Sequence, residues 1–311
     1  MFKRELIVEL RAAGYHPRAW IAYVRGHVDL ALHTLMARPE AARSVLAHGA
    51  ALVAVLFALS LGLALTDGLE LGRRLFLWSA LWVGALTVWV LLHLGLLTDL
   101  AGRPLARFGW PNALTLLRGA TVPPLLVLAG ARALDLLAIV LAVGAVSDVA
   151  DGFVARRTGQ VSRLGVIMDA MVDIAWNLGA FIAFVRAGLL PGWILAFIGL
   201  RYGLLLAGAA WLYLRRTALT IRPTGFGRAT GAVISVGLGV LLGNRLLLAG
   251  GHIAPAPSAT VAGMVAAALT LVAAATVLHV LYLGAVTQRT GGRPRLALVE
   301  RRTIGGSGRR P

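Results

Sequence analysis

Polar residues break this chain at slow, regular intervals, leaving apolar runs near 46–66, 75–97, 112–130, 133–154, 164–185, 191–214, 229–249 and 259–286. A helix of about 20 apolar residues is long enough to cross the hydrocarbon layer of a bilayer. Short Gly-rich joints blur the middle boundaries, and no internal repeat is visible. The pattern predicts an all-α polytopic membrane protein with eight spans.

Composition agrees. Of 311 residues, 59% are apolar, more than the core of a water-soluble domain needs. There is no cysteine, so neither disulfides nor thiolate-ligated metals enter the picture. The start, MFKRELIVELRAAGYHPRAW, carries charges without a continuous apolar core and is not read as a cleavable signal.

The net charge of +17 changes the picture through its distribution. With the N-terminus in the cytoplasm, the inside segments are 1–45, 98–111, 155–163, 215–228 and 287–311, and they hold 23 of the 30 Lys and Arg. The outside joints hold five: Arg73, Arg74, Arg132, Arg186 and Arg245. This asymmetry predicts both termini on the cytoplasmic side of the inner membrane. The basic charge is then a topology signal and an attraction for anionic lipid, not a nucleic-acid footprint. Segment 1–45 is amphipathic in parts, with Trp20, Tyr23 and Val24 on one face and Arg18 and Arg25 on another. It is expected at the membrane interface or capping the bundle.

Thirteen acids are present, and nine of them lie in the ends or the joints. The exceptions cluster in SDVADGFVARRTGQVSRLGVIMDAMVD, residues 147–173, at the mouths of two spans. Carboxylates there are costly and tend to be functional. Asp148 and Asp151 are three apart, and Asp169 and Asp173 four apart, so each pair shares a helix face. The two helices meet at one turn, where four carboxylates can converge on a hard cation such as Mg²⁺, Mn²⁺ or Ca²⁺. The alternative is a set of salt bridges to Arg156, Arg157 and Arg163. Gly152, Ala155 and Gly165 either admit a flat ligand to the backbone or serve close helix packing.

The stretch reads D-x2-D-G-x2-A-R-x8-G-x3-D-x3-D from Asp148 to Asp173 and resembles the signature of the CDP-alcohol phosphotransferase family, with every fixed position filled. PNALTLLR, residues 111–118, is a second family-like patch, and the resemblance covers about 110–286. It implies a six-helix core with two extra N-terminal spans outside it. The expected division is an amphipathic segment 1–45, the extra spans in 46–100, the core in 101–286 and a disordered basic tail in 287–311.

The resemblance also implies an activity: transfer of a phosphatidyl or similar group from a CDP-linked lipid to an alcohol, releasing CMP. By the same analogy Asp148, Asp151, Asp169 and Asp173 ligate Mg²⁺ or Mn²⁺, as two ions, and Asp173 is also the general base. Gly152, Ala155 and Gly165 border the donor, and Arg156 contacts its phosphate. Asn112, Thr115 and Arg118 recur three apart on one helix face and are expected at the donor. Otherwise Asn112 caps its helix and Arg118 snorkels. Arg201, alone inside LAFIGLRYGLLLAG, and Arg228, where many members carry lysine, are expected at the acceptor. A homodimer is implied as well.

The acceptor is the least determined feature. Glycerol-phosphate and cardiolipin-forming relatives often read D-P-x-x-D-K at the last two aspartates, whereas this chain reads DAMVDI. Two arginines beside the site favour an acceptor that already carries phosphate, glycerol 3-phosphate before inositol phosphate. The competing class, a divalent-cation channel or carrier, calls for discontinuous helices at mid-bilayer. These aspartates instead lie at one face.

Overall fold

The computed structural model describes residues 2–215 and 225–289. They form eleven helices: α1 Phe2–Ala12, α2 Pro17–Ala37, α3 Pro39–Thr66, α4 Leu69–Leu92, α5 Trp110–Ala120, α6 Val122–Ala131, α7 Leu134–Thr158, α8 Arg163–Arg186, α9 Ile194–Arg215, α10 Gly225–Ala249 and α11 Pro255–Arg289. Among the described residues there is no strand, only two isolated β-bridges. Eight helical stretches are long and apolar enough to cross a membrane, with α5 and α6 counting as one. The chain is thus an all-α polytopic membrane protein with the eight predicted spans.

The boundaries move most at the first two spans. The first two spans begin at Pro39 and Leu69 rather than near 46 and 75. In each, polar residues extend the apolar helix by one or two turns: Glu40 and Arg43 in α3, Glu70, Arg73 and Arg74 in α4. The α4 group closes on itself, since Arg73 and Arg74 both pair with Glu70.

The α5–α6 span is bent, for a local reason. Pro123 and Pro124 occupy the first turn of α6, where a missing N–H costs nothing but an uninterrupted helix cannot pass. Thr121 fills the joint by donating its hydroxyl to the Arg118 carbonyl at 2.7 Å. Trp176 of α8 donates to the same Thr121 oxygen at 3.1 Å, so the bend is fastened to the helix that carries two of the aspartates.

The main apolar core joins α6, α7, α8, α9, α10 and α11, with Leu63 of α3 and Leu75 of α4. A second buried cluster joins α3 and α4 to α5 and α8 through Val45, Val90, Phe108, Leu116, Met168 and Val172. The two extra spans are therefore built into the bundle. At the opposite flank, α1 and α2 hold the end of α9. Arg11 donates to the Leu214 and Tyr213 carbonyls, and Tyr15 to Leu214. A cation there suits the negative end of the helix dipole. Outward, α2 presents an exposed apolar stripe of Ile21, Val24, Val28, Leu32 and Met36.

Candidate active site

The turn between α7 and α8 sets the site. Gly159 ends α7 in the left-handed conformation at φ 66°, which glycine adopts without penalty. Ser162 then caps α8, its Oγ accepting from the Gly165 amide at 2.8 Å. The two helices leave this turn with Asp148 and Asp151 on one and Asp169 and Asp173 on the other.

All four carboxylates meet one side chain, Arg118 of α5, which is 1% exposed. Its Nη1 pairs with Asp148 and, at 2.8 Å, with Asp173. Its Nη2 lies 2.5 Å from Asp169 and 3.8 Å from Asp151. One carboxylate oxygen from each of Asp148, Asp169 and Asp173 lies within 4.8 Å of the others. Asp151 sits beside this trio and deeper, accepting a hydrogen bond from Thr115 at 2.9 Å.

Arg156, Arg157 and Arg163 form none of the ion pairs with these aspartates among the described residues. Arg163 donates to the Leu100 carbonyl, Arg157 lies over the Phe153 ring, and exposed Arg156 folds beside Gly152. The salt bridges expected as the alternative are therefore not formed, and the cation at these carboxylates is Arg118. Nor does Arg118 snorkel: it is buried and faces the carboxylates.

Asn112 does not cap its helix, for Gly109 occupies the cap position. Its Nδ2 donates to the Phe108 carbonyl and its Oδ1 accepts from the Ser162 hydroxyl at 3.1 Å. Gly165 is where this network needs space. A Cβ there would collide with Asn112 Oδ1 and lie 2.9 Å from Ser162 Oγ, so close packing explains this glycine. Gly152 is different, since a Cβ would meet only the far end of Arg156. Ala155 is half-buried one turn from Asp151.

Arg201 of α9 is half-buried, with its guanidinium 5.0 Å from the Tyr202 ring centre. Its Nη1 is buried without a hydrogen-bond partner among the described residues. The Arg228 side chain lies outside the described residues, although its backbone belongs to the first turn of α10.

Sequence reasoning missed Ser162, Thr121 and Trp176. Ser162 carried a usable signal, a serine just before an apolar helical run. The other two are ordinary core residues until the bend at Thr121 is known.

Residues 108–288 match the family profile described as CDP-alcohol phosphatidyltransferase. Proteins named "Putative cardiolipin synthase" from Mycobacterium bovis and from two strains of Mycobacterium tuberculosis are 33% identical over 133 residues. The alignment spans 42% of this chain and 63% of theirs. No solved structure matches. The family is one of phosphotransferases that use a divalent metal with a CDP-linked lipid donor and an alcohol acceptor. With its profile covering more than half of the chain and its acidic signature gathered around Arg118, this protein belongs to the CDP-alcohol phosphatidyltransferase family.

Proposed function

We propose that this protein transfers a phosphatidyl or similar phospho-lipid group from a CDP-linked lipid to an alcohol that itself carries phosphate. The observation that carries this reading is the convergence of four carboxylates from α7 and α8, three of them with oxygens within 4.8 Å.

The donor set fits a divalent cation. It consists only of carboxylate oxygens, the ligands that Mg²⁺ and Mn²⁺ prefer, and ligand–metal distances of about 2.0–2.6 Å put oxygens across one ion roughly 4–5 Å apart. Asp148, Asp169 and Asp173 would hold it, with Asp151 completing the set or serving a second ion. Bound there, the cation would offset pyrophosphate charge and stabilise the departing CMP.

The chain's own groups supply the rest. Asp173 takes the proton from the acceptor hydroxyl. The acceptor oxygen forms a bond to the lipid-side phosphorus, the bond from that phosphorus to the bridging oxygen breaks, and CMP leaves with the bridging oxygen. Arg118 keeps the carboxylates turned inward and offers a cation to donor phosphate. Asn112 and Thr115 orient the walls, through Ser162 and Asp151, with Gly165 making room for the Asn112–Ser162 contact, while Gly152 and Ala155 line the donor side and Arg156 meets its phosphate at the mouth.

Acceptor choice rests on Arg201. A guanidinium nitrogen buried without a partner is costly, and a phosphate-bearing acceptor would satisfy it in bidentate fashion. Arg228 is proposed as its companion. Glycerol 3-phosphate leads, followed by inositol phosphate. Purified protein given CDP-diacylglycerol, Mn²⁺ and each of these acceptors should release CMP with at least one of them. CMP release with glycerol or inositol alone, at equal rate, would remove the phosphate requirement.

Both termini and the α7–α8 turn are proposed to face the cytoplasm. A Thr158→Cys variant, in a chain with no native cysteine, should resist an impermeant thiol reagent in intact cells and react in inverted membranes.

A further inference from the structure

The family match begins at residue 108, so the N-terminal helices and the 93–107 connection lie outside it. Yet that connection is tied to the site at several points. Leu94–Leu96 is a short 3₁₀ turn, followed by a tight loop in which Thr98 bridges to Pro104 and Leu105 donates to the Leu97 carbonyl at 3.1 Å. Asp99 closes the loop by accepting from the Arg103 amide at 2.8 Å and its guanidinium at 2.6 Å. We call this loop the strap.

One side chain grips the strap from the N-terminal side. Arg38, between α2 and α3, donates through Nη1 to the Leu94 carbonyl at 3.0 Å. Through Nη2 it reaches the Leu97 carbonyl at 3.0 Å and Leu105 at 2.5 Å. Three carbonyls from three points of one loop suit the planar fork of a guanidinium and do not suit an ammonium.

From the other side the strap grips the catalytic turn. The Arg163 amide donates to the Thr98 carbonyl at 2.9 Å, Asp99 and Ser162 form a β-bridge, and the Arg163 side chain reaches the Leu100 carbonyl at 2.9 Å. Arg163 is the first residue of α8, and Ser162 is its cap. Asp169 and Asp173 follow on the same rigid helix. Two further ties run parallel: the Phe108 amide donates to Ser44 of α3 at 3.2 Å, and Trp82 of α4 donates to the Gly119 carbonyl, beside Arg118, at 2.9 Å.

We propose that the α3–α4 pair and the strap after it are a working part of the transfer site, with Arg38 as a positioning residue that fixes, through the strap, where α8 starts and how Asp169 and Asp173 face Asp148. The proposal rests on the transferase reading above. A displacement of about 1 Å at reacting groups can cost about a hundredfold in rate, so an anchor that sets helix position can govern catalysis without touching substrate.

The test uses the full-length protein in detergent, as wild type, Arg38→Lys, Arg38→Ala and Asp99→Ala. Mn²⁺ binding is titrated by electron paramagnetic resonance without substrate, amide exchange is followed over 160–169, and transfer kinetics are measured alongside. Arg38→Lys should remain folded while its kcat falls about tenfold or more, with both KM values changed less than about threefold. Its half-saturating Mn²⁺ should rise about tenfold or more, the size seen when groups supporting metal ligands are lost, and exchange at 160–165 should quicken. Arg38→Ala should show the same signature more strongly, and Asp99→Ala, which loosens the strap without touching Arg38, more weakly.

A purely structural role would lower the amount of active protein and leave Mn²⁺ half-saturation and local exchange per folded molecule as in wild type. That outcome in Arg38→Lys and Asp99→Ala overturns the proposal even if Arg38→Ala does not fold. Wild type that binds Mn²⁺ but transfers nothing would defeat the transferase reading instead, and Mn²⁺ affinity and exchange in the variants would still decide the role of Arg38.

Discussion

Arg118 and Arg201 both lie inside membrane-spanning helices, and the fold treats them in opposite ways. Arg118, 1% exposed, is surrounded by four carboxylates. Arg201 lies beside the Tyr202 ring and keeps a buried nitrogen without a partner among the described residues. A charge in a low-dielectric region is tolerated when it is paired. The half of the site on α5, α7 and α8 therefore pairs its cation within the chain and keeps carboxylates in excess, whereas the half on α9 carries a cation with no anion paired to it among the described residues. On the proposed reading the first half is prebuilt for metal and donor, and the second is completed by the acceptor.

The largest effects belong to the prebuilt half. Asp169→Asn and Asp173→Asn should each lower transfer by about a thousandfold or more, since each removes a proposed ligand and Asp173→Asn also removes the base. Chelation by EDTA should do the same and be reversed by Mn²⁺. CMP release assays check both, and near-normal turnover by either variant would break the assignment.

The next prediction concerns stability and has opposite signs at the two arginines. Arg118→Met strands four carboxylates and should destabilise by about 3 kcal/mol. That is the low end for a broken buried pair, because three of the carboxylates reach solvent. Arg201→Met removes an unsatisfied buried group and should leave the unfolding temperature unchanged or raise it. Equal destabilisation by both would show that Arg201 is paired after all.

Kinetics sharpen the same contrast. Arg201→Met should raise the acceptor KM by about tenfold to a hundredfold and change the donor KM by less than about threefold, as expected when an acceptor contact is lost. Thr115→Val should act more mildly. The Asp151 carboxylate would lose one hydrogen bond worth about 1–2 kcal/mol, giving roughly a tenfold fall in kcat if Asp151 is a ligand.

The smallest effect is a pH dependence in the strap. The Arg103 amide, and then its guanidinium, hold the Asp99 carboxyl below its ordinary value of 3.8. A group whose pKa is lowered by folding stabilises above its unfolded pKa and loses that contribution as pH falls through the folded one. Protection factors over 98–105 should thus be independent of Asp99 between about pH 5 and 8, above its titration range, and should fall only below 3.8.

Much of this molecule was legible in the sequence because length and hydropathy dictate spans directly. The aspartate pairs were legible because three- and four-residue spacings place side chains on one helix face. The partner of those aspartates was not. The arginines nearest in sequence, Arg156, Arg157 and Arg163, lie at the helix ends and turn outward. The cation that pairs lies 30 residues before Asp148, brought in by a helix that stops at Thr121. Gly165 read equally well as a ligand contact or a packing site until Asn112 was seen against it. The strap gave no periodic signal, since TDLAGRPL owes its shape to one aspartate, one glycine and a distant arginine.

The most direct test of the central claim is CMP release by purified full-length protein from CDP-diacylglycerol, with Mn²⁺ and a phosphate-bearing alcohol supplied or withheld independently. The account predicts release only when both are present, with the lipid product formed in equal amount. Release without metal, or equal release with the acceptor omitted, would contradict it.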